Sequence, residues 1–246
     1  MKYENTIRGR FTERPNRFIA TVEINGKTET AHVKNTGRCR ELLTPGATVI
    51  LENFSENFSE RFPENSSRKT KFDLIAVYKG ELLINMDSQS PNKAAAEFIP
   101  RIFPNVTLIR PETKFGNSRF DFYIEAEKSF EKNSEKRDKN LRRIFMEVKG
   151  CTLEADGICK FPDAPTERGR KHLDELARCV KAGYEAYVLF VIQMSGMKYF
   201  TPNYDTDPEF GEALKKAVRA GVTPLAYSCK VTEDSMVIDK PVKIVL

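Results

Sequence analysis

Seven residues constrain this chain more than any others. In Arg119-Phe-Asp-Phe-Tyr-Ile-Glu125, large apolar side chains fall at every second position, and polar or amphipathic ones fall between them. A period of two is the pattern of a strand with one face in a core. It sends Phe120, Phe122 and Ile124 inward and Asp121 to the opposite face. Ile144-Phe-Met-Glu-Val-Lys-Gly150 reads the same way: Ile144, Met146 and Val148 are buried, and Glu147 and Lys149 project together from the other side. If the two strands pair as a hairpin, Asp121, Glu147 and Lys149 converge. The expectation is a sheet with two acids and an amine at one point.

Around this centre the signals alternate. Pro91 to Phe103 reads as a helix, Thr166 to Ala182 as a helix closed by Gly183, Ala186 to Gln193 as a strand, and Pro208 to Ala220 as a further helix closed by a glycine. Val222–Tyr227 and Val237–Val245 read as strands. Alternating strands and helices predict a mixed α/β unit. Upstream the pattern is all-β: a hairpin from Arg17 to Val33 turning at Asn25-Gly26, a run from Ala47 to Leu51, and a strand pair from Phe72 to Met86 turning at Lys79-Gly80. Short strands at this spacing predict a small barrel. The boundary falls between residues 84 and 92, giving units of 1–86 and 87–246. Residues 128–142 are almost all polar or charged and read as a long mobile loop between two strands.

Composition enters where partners are concerned. The 246 residues are 40% apolar and 30% charged, with no stretch near the ~18 consecutive apolar residues of a membrane span. The first twenty residues lack a secretory signal. Five cysteines without a C-x-x-C pair read as reduced, buried thiols. A cytoplasmic protein with no membrane association is expected, its oligomeric state open. The net charge of +5 is concentrated: residues 1–40 carry nine Lys/Arg against four Glu, and the rest of the chain balances. A localised basic surface is what phosphates attract. Candidate contacts are Arg14, Arg17, Lys34, Arg38 and Arg40, with Phe11 or Phe18 as a stacking face, although the alternation around Phe18 favours the core.

Two carboxylates beside an ammonium suit a divalent-metal phosphodiesterase. Asp121 and Glu147 supply hard oxygen ligands for Mg²⁺ or Mn²⁺, the Val148 carbonyl is a further candidate, and Glu97 on the preceding helix could reach the cluster. Lys149 could orient a water or stabilise developing charge. On the helix 166–182, Gly169, Leu173, Leu176 and Val180 form a packing face, with Gly169 allowing close approach to the sheet. Arg168, Lys171, His172 and Glu175 lie to one side, where Arg168 or His172 could touch a phosphate near the metal. Thr166 reads as the N-cap.

The Asp…Glu-x-Lys spacing resembles the PD-(D/E)XK nuclease superfamily, whose core is a mixed sheet flanked by helices. Ser118-Arg-Phe-Asp-Phe122, Glu147-Val-Lys-Gly-Cys-Thr-Leu153, Phe161-Pro-Asp-Ala-Pro-Thr-Glu-Arg-Gly-Arg-Lys-His-Leu-Asp-Glu-Leu176 and Asn35-Thr-Gly37 together resemble the sugar fermentation stimulation protein family, SfsA, over essentially the whole chain. The resemblance implies an N-terminal OB-like β-barrel, a nuclease-like mixed α/β domain and association with nucleic acid, DNA ahead of RNA. It carries the acidic and lysine positions onto Asp121, Glu147 and Lys149, and it adds Asn35, Thr36 and Arg119 as candidate contacts. The expected function is a metal-dependent nuclease that binds DNA. The competing expectation is a non-catalytic DNA-binding regulator of sugar metabolism that keeps the fold.

Overall fold

The computed structural model describes residues 1–35, 37, 39–54, 70–128 and 141–246. They form two compact units. Thr36, Arg38 and nearly all of the charged segment 128–142 lie outside the described residues.

The first unit is a closed barrel. Strand β1 (Thr6–Asn16) pairs antiparallel with β2 (Ile19–Ile24) and with β4 (Thr48–Asn53). β2 turns at Asn25-Gly26 into β3 (Lys27–Val33), where both turn residues have positive φ, as a two-residue hairpin of primed type requires. β4 pairs with β5 (Phe72–Lys79), which continues into β6 (Leu82–Asn85). A parallel pairing of β3 with β5, Ala31 opposite Phe72, closes the ring. Closure leaves no free edge among the five strands. Two register shifts in β1, between Phe11 and Glu13 and between Glu13 and Asn16, bend that strand around the barrel. The interior holds Phe11, Val22, Val33, Val49, Leu51 and Leu74, each almost wholly buried.

This unit is not one continuous stretch of the chain. It runs from Met1 to Ser90 and takes back two later segments, Gln193–Gly196 and Cys229–Val237. Gln193 explains the first return. Its Nε2 donates to the carbonyls of Asn85 and Asp87 at 3.0 and 3.1 Å, fixing the end of β6 with a buried side chain.

The second unit is a six-stranded mixed sheet with helices. Its order is β15 (Met236–Pro241), β14 (Thr223–Val231), β12 (Glu185–Ile192), β9 (Leu141–Cys151), β8 (Ser118–Glu127) and β7 (Val106–Phe115). β9, β12 and β14 run parallel, whereas β7, β8 and β9 form an antiparallel meander. A small second sheet contains β10 (Leu153–Ala155), β11 (Ile158–Phe161) and β13 (Tyr199–Pro202). The helices are α1 (Ser90–Ile102), α2 (Glu167–Lys181) and α3 (Pro208–Arg219). Thr166 caps α2 as expected, its Oγ1 accepting from the Gly169 amide at 3.0 Å.

Gly169 has a different neighbour from the one its spacing suggests. A Cβ there would meet Thr166 at 2.7 Å and the ring of Phe210 at 3.3 Å, so the glycine admits the cap and helix α3 rather than the sheet. All five cysteines are buried. No helix among the described residues is long and apolar enough to cross a membrane.

Candidate functional site

β8 buries every second residue from Ser118 to Ala126, as its alternation predicts, leaving Asp121 half-buried on the other side. β9 lies inside the sheet with β8 on one flank and β12 on the other, so it is buried from Ile144 to Val148 without a break. This position places Glu147 at 4% exposure. A carboxylate so deep needs donors, because an uncompensated buried charge is expensive.

The backbone ladder between β8 and β9 ends at Phe122 opposite Met146. Just beyond it the Asp121 carboxylate takes over: Oδ2 accepts the Val148 amide at 2.7 Å, and Oδ1 accepts from Asn92 Nδ2 of α1, also at 2.7 Å. Glu147 Oε1 receives Lys149 Nζ at 2.7 Å and a short hydrogen bond from His172 Nδ1 of α2. On its other side the His172 ring accepts from Arg168 Nε over 3.5 Å and packs edge-on against Phe120. Two donors therefore share one oxygen. The second, Glu147 Oε2, is buried and has no hydrogen-bond partner.

Electrostatics separates the two acids. Burial, reinforced by the neighbouring Glu147 charge, pushes Asp121 up to about 6. Burial also opposes charge on Glu147, but the hydrogen bonds from His172 and Lys149 outweigh it and hold that carboxyl below its ordinary value. One acid is thus held ionised, while its neighbour titrates close to neutrality.

Asp121, Glu147 and Lys149 are therefore brought together, and Val148 joins them through its amide. Glu97 is exposed on α1, five residues from Asn92 and so about 140° further round the helix. Asn92 is the α1 side chain that reaches Asp121. No sequence signal marked it. His172, expected as a phosphate contact near the metal, is 5% exposed and engaged with Glu147. Arg168 is exposed beside it, and Arg119 is exposed on β8, 4.0 Å from Glu112. Among the described residues no group of three or more His, Cys, Asp and Glu is arranged to hold a metal, so the acidic part of the centre is the pair alone.

The basic surface of the barrel divides in two. Arg14 is committed to the protein, its guanidinium donating to the carbonyls of Arg17, Asn35 and Gly37 at 2.6, 2.7 and 2.8 Å. Lys34 lies 3.0 Å from the fully buried Asp87 and 3.8 Å from Asp73. Asn35 closes its own turn, accepting from the Gly37 amide and donating to the Met86 carbonyl. These three hold Lys34, Asn35 and Gly37 in place, and their charge or polarity is used internally. Arg17 and Arg40 are exposed. Phe11 is in the core, whereas Phe18 is 51% exposed, the reverse of what its alternation suggests.

Comparison with known proteins agrees with this architecture. Residues 12–86 match the family model described as the SfsA N-terminal OB domain, and residues 89–235 match that of the sugar fermentation stimulation protein RE domain. Homologues named sugar fermentation stimulation protein homolog are 52% identical in Clostridium beijerinckii, over the whole of both chains, and 54% identical in Desulfitobacterium hafniense Y51, over 96% of this chain and 94% of that one. The solved structure of Pyrococcus furiosus SfsA in complex with Ca²⁺ superposes with a TM-score of 0.80 at 24% identity, covering 100% of this chain and 98% of that one, and shares the fold. With both of its units and its full length matched, this chain belongs to the sugar fermentation stimulation protein family.

Proposed function

We propose that this chain binds nucleic acid, with DNA ahead of RNA, and hydrolyses phosphodiester bonds at Asp121, Glu147 and Lys149 with a divalent cation, Mg²⁺ or Mn²⁺. The observation that carries the reading is Glu147 Oε2: a buried carboxylate oxygen with no partner, beside a second carboxylate. Buried polar atoms find partners, so an orphan here asks for one. Two carboxylate ligands suit Mg²⁺, which keeps several waters and takes substrate phosphate as well. The relative from Pyrococcus furiosus is described with Ca²⁺, a cation of the same hard, oxygen-seeking chemistry.

When bound, the cation would polarise the phosphoryl oxygen and supply an activated water. The chain's own groups have separate tasks. Glu147 would hold the cation through Oε2, because Lys149 and His172 occupy Oε1. Asp121 would contribute the second carboxylate, aimed by Asn92 and the Val148 amide. Lys149 Nζ, two residues from Glu147 and anchored on it, is the nearby cation for charge that develops on phosphate. The exposed Arg17 and Arg40 on the barrel would meet the polymer's backbone.

One observation favours the competing reading, a non-catalytic DNA-binding regulator. Lys149 and His172 already compensate Glu147, and a compensated carboxylate can be structural. A cleavage assay separates the two. Purified protein is incubated with labelled single- and double-stranded DNA and RNA in Mg²⁺, Mn²⁺ or chelator. Hydrolysis that needs metal and is lost in Glu147→Gln and Lys149→Ala, with binding retained, is the expected result. Binding without hydrolysis under every metal condition selects the regulator.

A further inference from the structure

Phe18 is the most exposed large hydrophobic side chain among the described residues, and the other three in that class, Val237, Val245 and Leu246, are aliphatic. The ring keeps about half of its apolar area in water, and it stands at the turn where β1 hands over to β2. Its backbone is held rather than loose. The Phe18 amide donates to Asn16 Oδ1 at 2.9 Å, with the Ile19 amide reaching the same oxygen at 3.1 Å, and the Phe18 carbonyl accepts from the Val33 amide at 2.7 Å. The Arg14 guanidinium then ties the carbonyl of Arg17 to those of Asn35 and Gly37. An exposed ring on a braced turn is a prepared contact, since little conformational freedom is lost when it is used.

Its surroundings indicate what it would meet. The neighbouring Arg17 is exposed, Arg40 is exposed on the segment after β3, and the chain's whole positive excess lies in residues 1–40. An exposed ring next in sequence to an exposed arginine, on the basic N-terminal part of the chain, matches a chain of phosphates carrying flat bases. A base offers its face only when it is unstacked from a neighbour. We propose that Phe18 is a base-stacking platform at the β1–β2 turn, and that the polymer this protein prefers therefore contains unpaired bases: a single strand, a loop or a frayed end. The inference rests on the nucleic-acid reading above and narrows its substrate class.

The experiment uses the full chain with chelator present, so that nothing is cleaved. Fluorescence anisotropy at low salt compares labelled single strands of about 16 nucleotides with a hairpin duplex of the same sequence, for the wild type, Phe18→Ala and Phe18→Tyr. A single strand carrying 2-aminopurine reports stacking directly through quenching. The wild type should prefer the single strand and quench the probe. Phe18→Ala should bind the single strand about tenfold more weakly, with the salt slope unchanged and duplex binding unaffected, while Phe18→Tyr retains both affinity and quenching. Because the ring is exposed, the alanine variant should melt with the wild type.

Equal single-strand affinity in Phe18→Ala, or a wild type that favours the duplex, overturns the proposal and leaves the nucleic-acid reading intact. Absence of any oligonucleotide binding by the wild type at low salt overturns both. Co-sedimentation with phosphatidylserine–phosphatidylcholine vesicles that depends on Phe18, combined with oligonucleotide binding that does not, would assign the ring to a lipid surface and overturn it as well.

Discussion

Val148 donates its backbone amide to Asp121 Oδ2 at 2.7 Å, one step past the point where the β8–β9 ladder stops. A side chain has taken the place of a carbonyl. The acid therefore serves the fold, and under the proposed function it would also hold a cation; the two roles would respond differently to substitution.

Asp121→Ala should remove the acceptor for both the Val148 amide and Asn92, leaving two partly buried donors unsatisfied. A loss of about 1–3 kcal/mol in urea denaturation is expected. Asp121→Asn keeps one acceptor oxygen and removes a buried like-charge neighbour of Glu147, so it should be distinctly less destabilising than alanine. Both variants should lose metal binding. Equal stability of Asp121→Ala and the wild type would mean that the bond to Val148 contributes nothing.

The pH dependence follows from Asp121 at about 6. At pH 5 only about one molecule in ten has this carboxylate ionised, so Mn²⁺ affinity by calorimetry should be about tenfold weaker at pH 5 than at pH 7.5. Stability of the metal-free protein moves the other way. The folded value lies above the ordinary value near 4, so the native state holds the proton more tightly. The contribution of Asp121 to stability is then fully present below about pH 4 and lost as pH rises through about 6. Bound metal should lift thermal stability more at pH 7.5 than at pH 5.5. A lift that is constant across that window would exclude Asp121 as a ligand.

His172→Ala should act on Glu147 rather than on substrate. It removes one of two donors from a carboxylate that is 4% exposed. Part of what holds the Glu147 carboxyl low is then lost. Destabilisation of about 1–3 kcal/mol is expected. The loss should be largest above the ordinary carboxylate range, where Glu147 is ionised in both states, and should shrink as acid protonates it. His172→Gln, with an amide donor in place of the ring, should recover part of it.

The acid and lysine centre was readable because its strands obey simple rules. Phe120, Phe122 and Ile124 are buried at period two, and the direction of Asp121 follows. The Asn25-Gly26 hairpin was equally plain. β1 was not, because only Phe11 of its eleven residues is buried and Arg8, Arg10, Glu13 and Arg14 interrupt the rest, so the alternation has almost no apolar signal. β7, the sheet's edge, has Arg110-Pro111-Glu112 at its centre and no buried residue, and failed to register for the same reason. Lys34 and Arg14 looked like surface charge because the sequence does not show that Asp87 and three carbonyls wait for them. Asn92 bridges 29 positions to Asp121, and a contact of that span leaves no periodic trace.

Arg14→Ala separates a brace from a phosphate contact. One guanidinium meets three carbonyls in fixed directions, a geometry that the single ammonium of lysine cannot reproduce. Alanine should destabilise the barrel by about 2 kcal/mol, and Arg14→Lys should recover little of it. Arg17→Ala should leave stability unchanged within about 0.5 kcal/mol and lower the salt slope of nucleic-acid binding by about one unit. If Arg14→Ala lowers the slope as Arg17→Ala does, while melting with the wild type, its guanidinium serves the polymer and the brace is incidental.

Gly169→Ala sets helix propensity against packing. Alanine inside a helix is worth about 1 kcal/mol over glycine, so a free helix would gain. Here the new Cβ would stand 2.7 Å from Thr166 Cγ2 and 2.9 Å from its Oγ1, with Phe210 of α3 at 3.3 Å. Thr166 must turn away, which breaks the 3.0 Å cap to the Gly169 amide and loses about 1 kcal/mol. Overpacking against Phe210 adds about 1–3 kcal/mol. The losses exceed the gain, so the variant should be destabilised by roughly 1–3 kcal/mol in urea denaturation. His172 lies three residues further along α2, so a shift of that first turn should also weaken metal binding measured on the folded protein. A stabilised variant would mean that the cap and α3 yield more easily than their contacts suggest.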